Sequence, residues 1–245
     1  MVLKKLIVNH LLPCIYKAFL SVNVENKPLF MIKTDKALVI APHAGDETLG
    51  MGGTISKYFK NIKVIRLTDK ITGTDSVSTK ETKKICENEF TEAMKVAQVV
   101  NTECLHAKND EIIYAYNKLL KTDLSEFDYI FIPTPTDNIT NYKSLGVLMK
   151  RVLSEQTVKD TLKVFLYELW SPMPVINNFV DISEHIETKN QMIKAYKSIP
   201  EIENVINSVN ALSQYRRYLS NNKPSEVFLS FEYKDFIKFI TTIYG

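Results

Sequence analysis

The chain has 245 residues, 45% of them apolar and 24% charged, with a net charge of +3 from 31 basic and 28 acidic side chains. That balance suits a soluble globular protein; it excludes collagen-like, low-complexity and disulfide-scaffold chains, and leaves no electrostatic footprint for nucleic acid. A chain of this length buries roughly 70–75% of its unfolded surface and needs no staples.

At the N-terminus, Lys4 and Lys5 precede the apolar stretch LIVNHLLPCIYKAFLSV, which Asn9, His10, Pro13 and Lys17 interrupt. The run never reaches the 18 or so clean apolar residues of a membrane span, and no small-residue cleavage site follows. Residues 1–30 therefore read as an amphipathic helical extension with no transmembrane span; peripheral membrane contact is the alternative. Short β-rich runs follow at 36–42, 62–68, 128–134, 163–170 and 177–183, with helical patterns between them at 48–60, 80–99, 141–156 and 184–198. The closing stretch YKDFIKFITTIYG (233–245) reads as a terminal helix docked on the sheet. Three cysteines, Cys14, Cys86 and Cys104, share no metal-ligand spacing and cannot all pair, which points to a reducing, cytoplasmic compartment.

Near-continuous apolar strands separated by helices predict an α/β chain: a Rossmann-like three-layer fold, with a mainly parallel sheet and helices on both faces. Residues 31–245 read as one domain. Ligands of such sheets sit outside the carboxyl ends of the strands. The segments to inspect are thus Pro42–Glu47, Thr68–Lys70, Pro133–Tyr142 and Glu168–Trp170.

The first of these carries the sharpest motif, APHAGDETLGMGG at 41–53. His43 and Asp46 stand on a strand-to-helix turn, where an imidazole and a carboxylate three residues apart can face one metal ion such as zinc. The competing reading is an aspartate helix cap beside a hydrogen-bonded core histidine. The glycines come after the turn and carry no Walker lysine, so this is not a phosphate loop.

The same stretch resembles the signature of the LmbE/PIG-L N-deacetylases, PHPDDE followed by a glycine-rich helix start. The likeness continues in order: RLTDKITG (66–73), ENEFTEAMKVA (87–97), LHAKND (105–110), IPTPTDNITNYKSL (132–145), LYELWSPMPVINNFVDISEHIETKNQMIKAYKS (166–198) and YRRYLSNNKPSEVF (215–228). The resemblance implies a single zinc that hydrolyses an N-acetyl group on an amino sugar. In that chemistry zinc lowers the pKa of its bound water, a carboxylate takes the proton, and a donor stabilises the oxyanion.

Carried over residue by residue, the first two zinc ligands are His43 and Asp46. The general-base position is Gly45, which has no side chain. The assisting histidine of a D-x-H-P-D-H segment falls on Ile139, its middle aspartate on Asn141, and the third ligand on Tyr142, a poor zinc ligand while neutral. Two ligands are fewer than the three that a catalytic zinc keeps. The resemblance thus implies an impaired N-acetyl amino-sugar deacetylase homologue of glycan metabolism with a retained sugar pocket. Asp110, Asp137, Tyr142, Glu168 and Trp170 are the candidate substrate-binding residues, since an aromatic face and carboxylates suit a sugar. Two alternatives stand beside it. One is an active metal-dependent deacetylase rebuilt from His43, Asp46 and Asp137 or Asp69, with Glu47 as a further acid near the turn. The other is an interaction partner of an active homologue.

Overall fold

The computed structural model describes residues 25–69, 80–107 and 112–245. The amphipathic helix expected in the N-terminal extension, and Asp110, lie outside the described residues.

Eight strands form one sheet in the order β1-β7-β8-β6-β5-β2-β3-β4. They are β1 (Lys27–Pro28), β2 (Ala37–Ala41), β3 (Ile62–Thr68), β4 (Asn101–Ala107), β5 (Tyr129–Pro133), β6 (Lys163–Tyr167), β7 (Asn178–Asp181) and β8 (Ser225–Glu232). Strand β8 runs antiparallel to β6 and β7, and every other pairing is parallel. The predicted mainly parallel α/β architecture is what the chain adopts. The β1 pairing and the buried Leu29 bring residues 27–29 into the sheet domain, before the expected boundary at residue 30.

The principal helices are α1 (Asp46–Lys57), α2 (Lys80–Val96), α3 (Thr140–Glu155), α4 (Ile186–Lys194), α5 (Ile202–Tyr215) and α6 (Tyr233–Tyr244). The strands alternate with period two, which sorts their side chains onto two faces. Ala37, Val39, Val64, Phe131 and Phe165 face one core with α1, α2, α4 and α5. Leu38, Ile40, Ile65, Ile130 and Val164 face the other with α3 and α6. These are the three layers. The terminal helix α6 lies against α3, β6 and β8.

Besides β1, two strands and one principal helix escaped the sequence pattern. Strand β4 (NTECLHA) is a sheet edge whose first two residues are exposed, so it lacks the apolar run of a central strand. Strand β8 sits inside the sheet, but Ser225, Glu226, Ser230 and Glu232 flank and interrupt its apolar run in SEVFLSFE. The helix is α5. Among the described residues no helix is long and apolar enough to cross a membrane.

The topology locates the site. From β2 the chain steps outward through β3 to β4, then returns to place β5 on the other side of β2. The strand order reverses there, and a crevice opens outside the carboxyl ends of β2 and β5. The loops that leave these two strands carry residues 42–47 and 134–142.

Candidate functional site

The turn after β2 is fixed from below. Thr68, the last residue of β3, donates both its backbone N–H (3.1 Å) and its hydroxyl (2.7 Å) to the Pro42 carbonyl. Gly45 then caps α1 with φ 100°, in the left-handed region where a Cβ is disfavoured. This conformation turns the chain sharply enough for Asp46 to face back toward His43.

Asp46 is fully buried and His43 nearly so. Oδ2 of Asp46 accepts the His43 backbone N–H at 3.0 Å and meets His43 Nδ1 at 3.0 Å. The other oxygen, Oδ1, accepts the hydroxyl of buried Tyr142 at 2.8 Å. On the far side of the imidazole, Nε2 lies 2.8 Å from the Asn141 amide nitrogen. An amide nitrogen only donates, so Nε2 holds the lone pair and Nδ1–H points at Asp46. Burial first, and the Asp46 carboxylate second, hold the Tyr142 phenol well above its ordinary pKa; the Trp170 side chain, hydrogen-bonding to it, works in the opposite direction.

Sequence mapping therefore brought His43, Asp46, Asn141 and Tyr142 to one place. A metal ion shared by His43 and Asp46 would lie between Nδ1 and the carboxylate; there Nδ1 carries the hydrogen that the Asn141 N–H on Nε2 assigns to it, and Oδ1 accepts the Tyr142 O–H. Among the described residues no group of three or more His, Cys, Asp or Glu is placed to hold a metal ion. The donor set does not fit a zinc ion.

The other expected residues have defined tasks. Asp137 accepts the backbone N–H groups of Trp170 (3.1 Å) and Ser171 (3.0 Å) on Oδ2, and the Ser171 hydroxyl on Oδ1 (3.1 Å), so it holds the loop after β6. Glu168 makes a two-pronged, buried pair with Arg216, at 3.0 and 2.6 Å, and accepts the Met173 N–H at 2.8 Å. Its carboxylate thus holds Arg216 and the loop after β6 together. Asp69 meets Arg66 at 3.2 Å and His106 at 2.7 Å, beyond the ends of β3 and β4. Ile139 is a half-buried cap of α3 with no side-chain hydrogen bond. Glu47 is fully buried, where Thr48 (2.8 Å) and Tyr196 donate to its Oε1; burial is the main cause that raises its pKa, and Tyr196 lowers it. His185 is half-buried against Ser56 at 3.0 Å.

Trp170 carries the site outward. Its side chain is 43% exposed and lines a groove of about 780 Å³ between the 169–172 loop and α5. Leu49, Leu169, Leu212 and Tyr215 form apolar walls, and Glu201, Asn204 and Ser208 add polar groups. Sequence reading missed this α5 wall. Its signal was the 3.6-residue spacing of Ile202, Val205, Ile206, Val209 and Leu212.

With this geometry in place, comparison with known proteins is informative. Residues 38–153 match the family model described as PIG-L, GlcNAc-PI de-N-acetylase. The likeness to the PIG-L family thus spans the segment from β2 to α3. No curated protein sequence matches the chain significantly. Among solved structures, the N,N'-diacetylchitobiose deacetylase from Pyrococcus horikoshii, complexed with its inhibitor MPG, aligns with TM-score 0.71 and 21% identity over 82% of this chain and 85% of that one. A conserved protein from Thermus thermophilus aligns with TM-score 0.66 and 20% identity over 79% and 93%. The 4-carboxy-2-hydroxymuconate hydratase from Pseudomonas putida aligns with TM-score 0.63 and 14% identity over 80% and 95%. These likenesses, each over about four fifths of the chain, establish the fold beyond the PIG-L match. A hydratase and a deacetylase share it, so reactivity must be argued from side chains.

Proposed function

We propose that this chain is a PIG-L-type homologue of the N-acetyl amino-sugar deacetylases of glycan metabolism that binds a sugar without hydrolysing it. One observation carries the reading: the positions that would hold metal and move protons form a closed hydrogen-bonded cluster. Tyr142 and Asn141 donate to Asp46 and His43, and the base position is Gly45. Loss of a general base alone costs about 10²–10⁴-fold in rate, and loss of an oxyanion donor about 10²–10³-fold.

The groove supports the ligand class. A sugar offers C–H faces to aromatic rings and hydroxyls to a few polar groups. Trp170 and Tyr215 supply the rings; Glu201, Asn204 and Ser208 supply the polar groups. An active rearranged enzyme would have to release Asp137 from Trp170 and Ser171, or Asp69 from Arg66 and His106.

Calorimetry with N,N'-diacetylchitobiose, paired with an acetate-release assay, tests this. The expected result is binding that Trp170→Ala abolishes, with no acetate formed. Acetate release that disappears in His43→Ala would overturn the reading. Trp170 is the only tryptophan of the chain, so its emission reports the same event independently.

A further inference from the structure

We propose that Asn141, by donating to Nε2 of His43 and so leaving the hydrogen on Nδ1, and Tyr142, by donating to Asp46, take up the electron pairs that a zinc ion shared by His43 and Asp46 would need, so that a hydrogen-bonded cluster stands in this chain where a metal centre would be. The inference rests on the reading of this crevice as the PIG-L-type site, and it is independent of whether a sugar binds in the groove.

Asp46 has two oxygens. One takes the His43 backbone N–H and the imidazole Nδ1–H, both at 3.0 Å, and the other takes the Tyr142 hydroxyl at 2.8 Å. The imidazole has one lone pair, on Nε2, and Asn141 points an N–H at it from 2.8 Å. The carboxylate oxygens and imidazole nitrogens of this cluster are thus each matched by a partner of the opposite kind. A divalent ion shared by the two side chains would have to replace the hydrogen on Nδ1, which would move a hydrogen to Nε2 against the Asn141 N–H, and to turn the Tyr142 hydrogen away from the carboxylate. Beside those two side chains it would meet the buried Tyr142 phenol, a poor metal ligand while neutral.

The replaced residues are a matched set. An aspartate at 141 would offer a carboxylate to the imidazole Nε2 and would require that nitrogen to carry the hydrogen. A histidine at 142 could offer a lone pair. The residues present, an amide and a phenol, both offer hydrogens instead. One donor holds the imidazole in the form whose Nδ1 has no lone pair, and the other occupies the carboxylate. The result joins the end of β2, the first turn of α1 and the first turn of α3 without any ion.

The test uses the full chain, the Asn141→Asp/Tyr142→His double variant and His43→Ala, each checked for folding by far-ultraviolet circular dichroism. Each protein is titrated with cobalt(II), followed by its visible absorption, and its zinc content is measured after dialysis against zinc. The expected result is no stoichiometric metal in the natural chain and a gain of one bound metal per chain in the double variant. One equivalent in the natural chain, lost in His43→Ala, would overturn the proposal. So would a folded double variant that still takes no metal, because the amide and the phenol would then not be what closes the site. If the double variant does not fold, Tyr142→His alone is titrated and read by the same criteria. Sugar calorimetry in the presence of a chelator separates this result from the proposed function: loss of sugar binding there would count against the function, and the metal titration would stand by itself.

Discussion

Tyr142 donates its hydroxyl hydrogen to Oδ1 of Asp46 at 2.8 Å, and neither side chain has exposed surface. The bond links the first turn of α3 to the first turn of α1 across the crevice between β5 and β2. Removing only the hydroxyl leaves a buried carboxylate oxygen without its donor, which costs about 1–3 kcal/mol, more where the group is charged. Tyr142→Phe is therefore expected to lower the urea midpoint with an unchanged slope. An unchanged midpoint would show that Asp46 finds another partner and that the phenol is not what satisfies it.

A second buried pair holds α1 in its bent shape. Met51 leaves helical geometry at φ −146° and ψ 28°, so the helix restarts behind it. The freed N–H groups of Gly53 (2.9 Å) and Thr54 (2.7 Å), together with the Thr54 hydroxyl (2.6 Å), donate to Glu226 of β8. A strand carboxylate thus caps a helix from outside it, where the helix dipole favours negative charge. Lys189 of α4 pairs with the same carboxylate at 2.7 Å, and both side chains are buried. Lys189→Met strands that carboxylate without its cation and is expected to cost about 3–5 kcal/mol, read by denaturant unfolding. A loss under about 1 kcal/mol would mean that the three backbone and hydroxyl donors hold Glu226 alone.

Much of this arrangement was legible in the chain. The runs ALVIA and YIFIP are apolar throughout because strands β2 and β5 are covered on both faces, and that continuity announces a parallel sheet. The helix α5 had the right periodicity but no motif to draw attention to it. The site was legible as a set of positions and not as a network. His43 and Asp46 stand three apart in a turn, so their meeting is local. That Asn141 would cover the imidazole depends on β5 lying beside β2, which only the tertiary fold decides. Glu168 shows the reverse case. An acid near a tryptophan suggests a sugar contact, yet Arg216, 48 residues away, takes both its oxygens.

Acid sensitivity should trace in part to Asp128. Burial pushes its carboxyl pKa up, but the Lys159 ammonium at 2.7 Å and the Lys36 backbone N–H at 2.9 Å outweigh this and hold it below the ordinary value. A lowered folded-state pKa gives stability that is present above the unfolded value, about 3.9, and is lost as pH falls through the folded one. Asp128→Asn should therefore cost under about 1 kcal/mol near neutral pH, as expected for a partly exposed pair. It should also flatten the fall in stability below about pH 4. Unfolding free energies of both proteins across the acid range check this. Parallel curves through that range would remove Asp128 as a contributor.

Gly50 decides how closely α1 approaches the sheet beneath the site. A Cβ added there would lie 2.4 Å from Cδ2 and 2.7 Å from Cε2 of Tyr167, and 3.2 Å from the Glu168 carbonyl. Helix propensity alone would favour alanine over glycine by about 1 kcal/mol. The clash opposes this, because the Tyr167 ring is fully buried in the core and the carbonyl is backbone. Overpacking of that kind costs about 1–3 kcal/mol, so Gly50→Ala should be net destabilising. At Gly52 the nearest atom to an added Cβ is Lys189 Cγ at 3.1 Å, a milder contact with a side chain. Gly52→Ala should therefore cost less than Gly50→Ala when the two are compared by thermal unfolding under the same conditions. The opposite order would mean that the buried lysine is held more rigidly by Glu226 than the tyrosine ring is by the core.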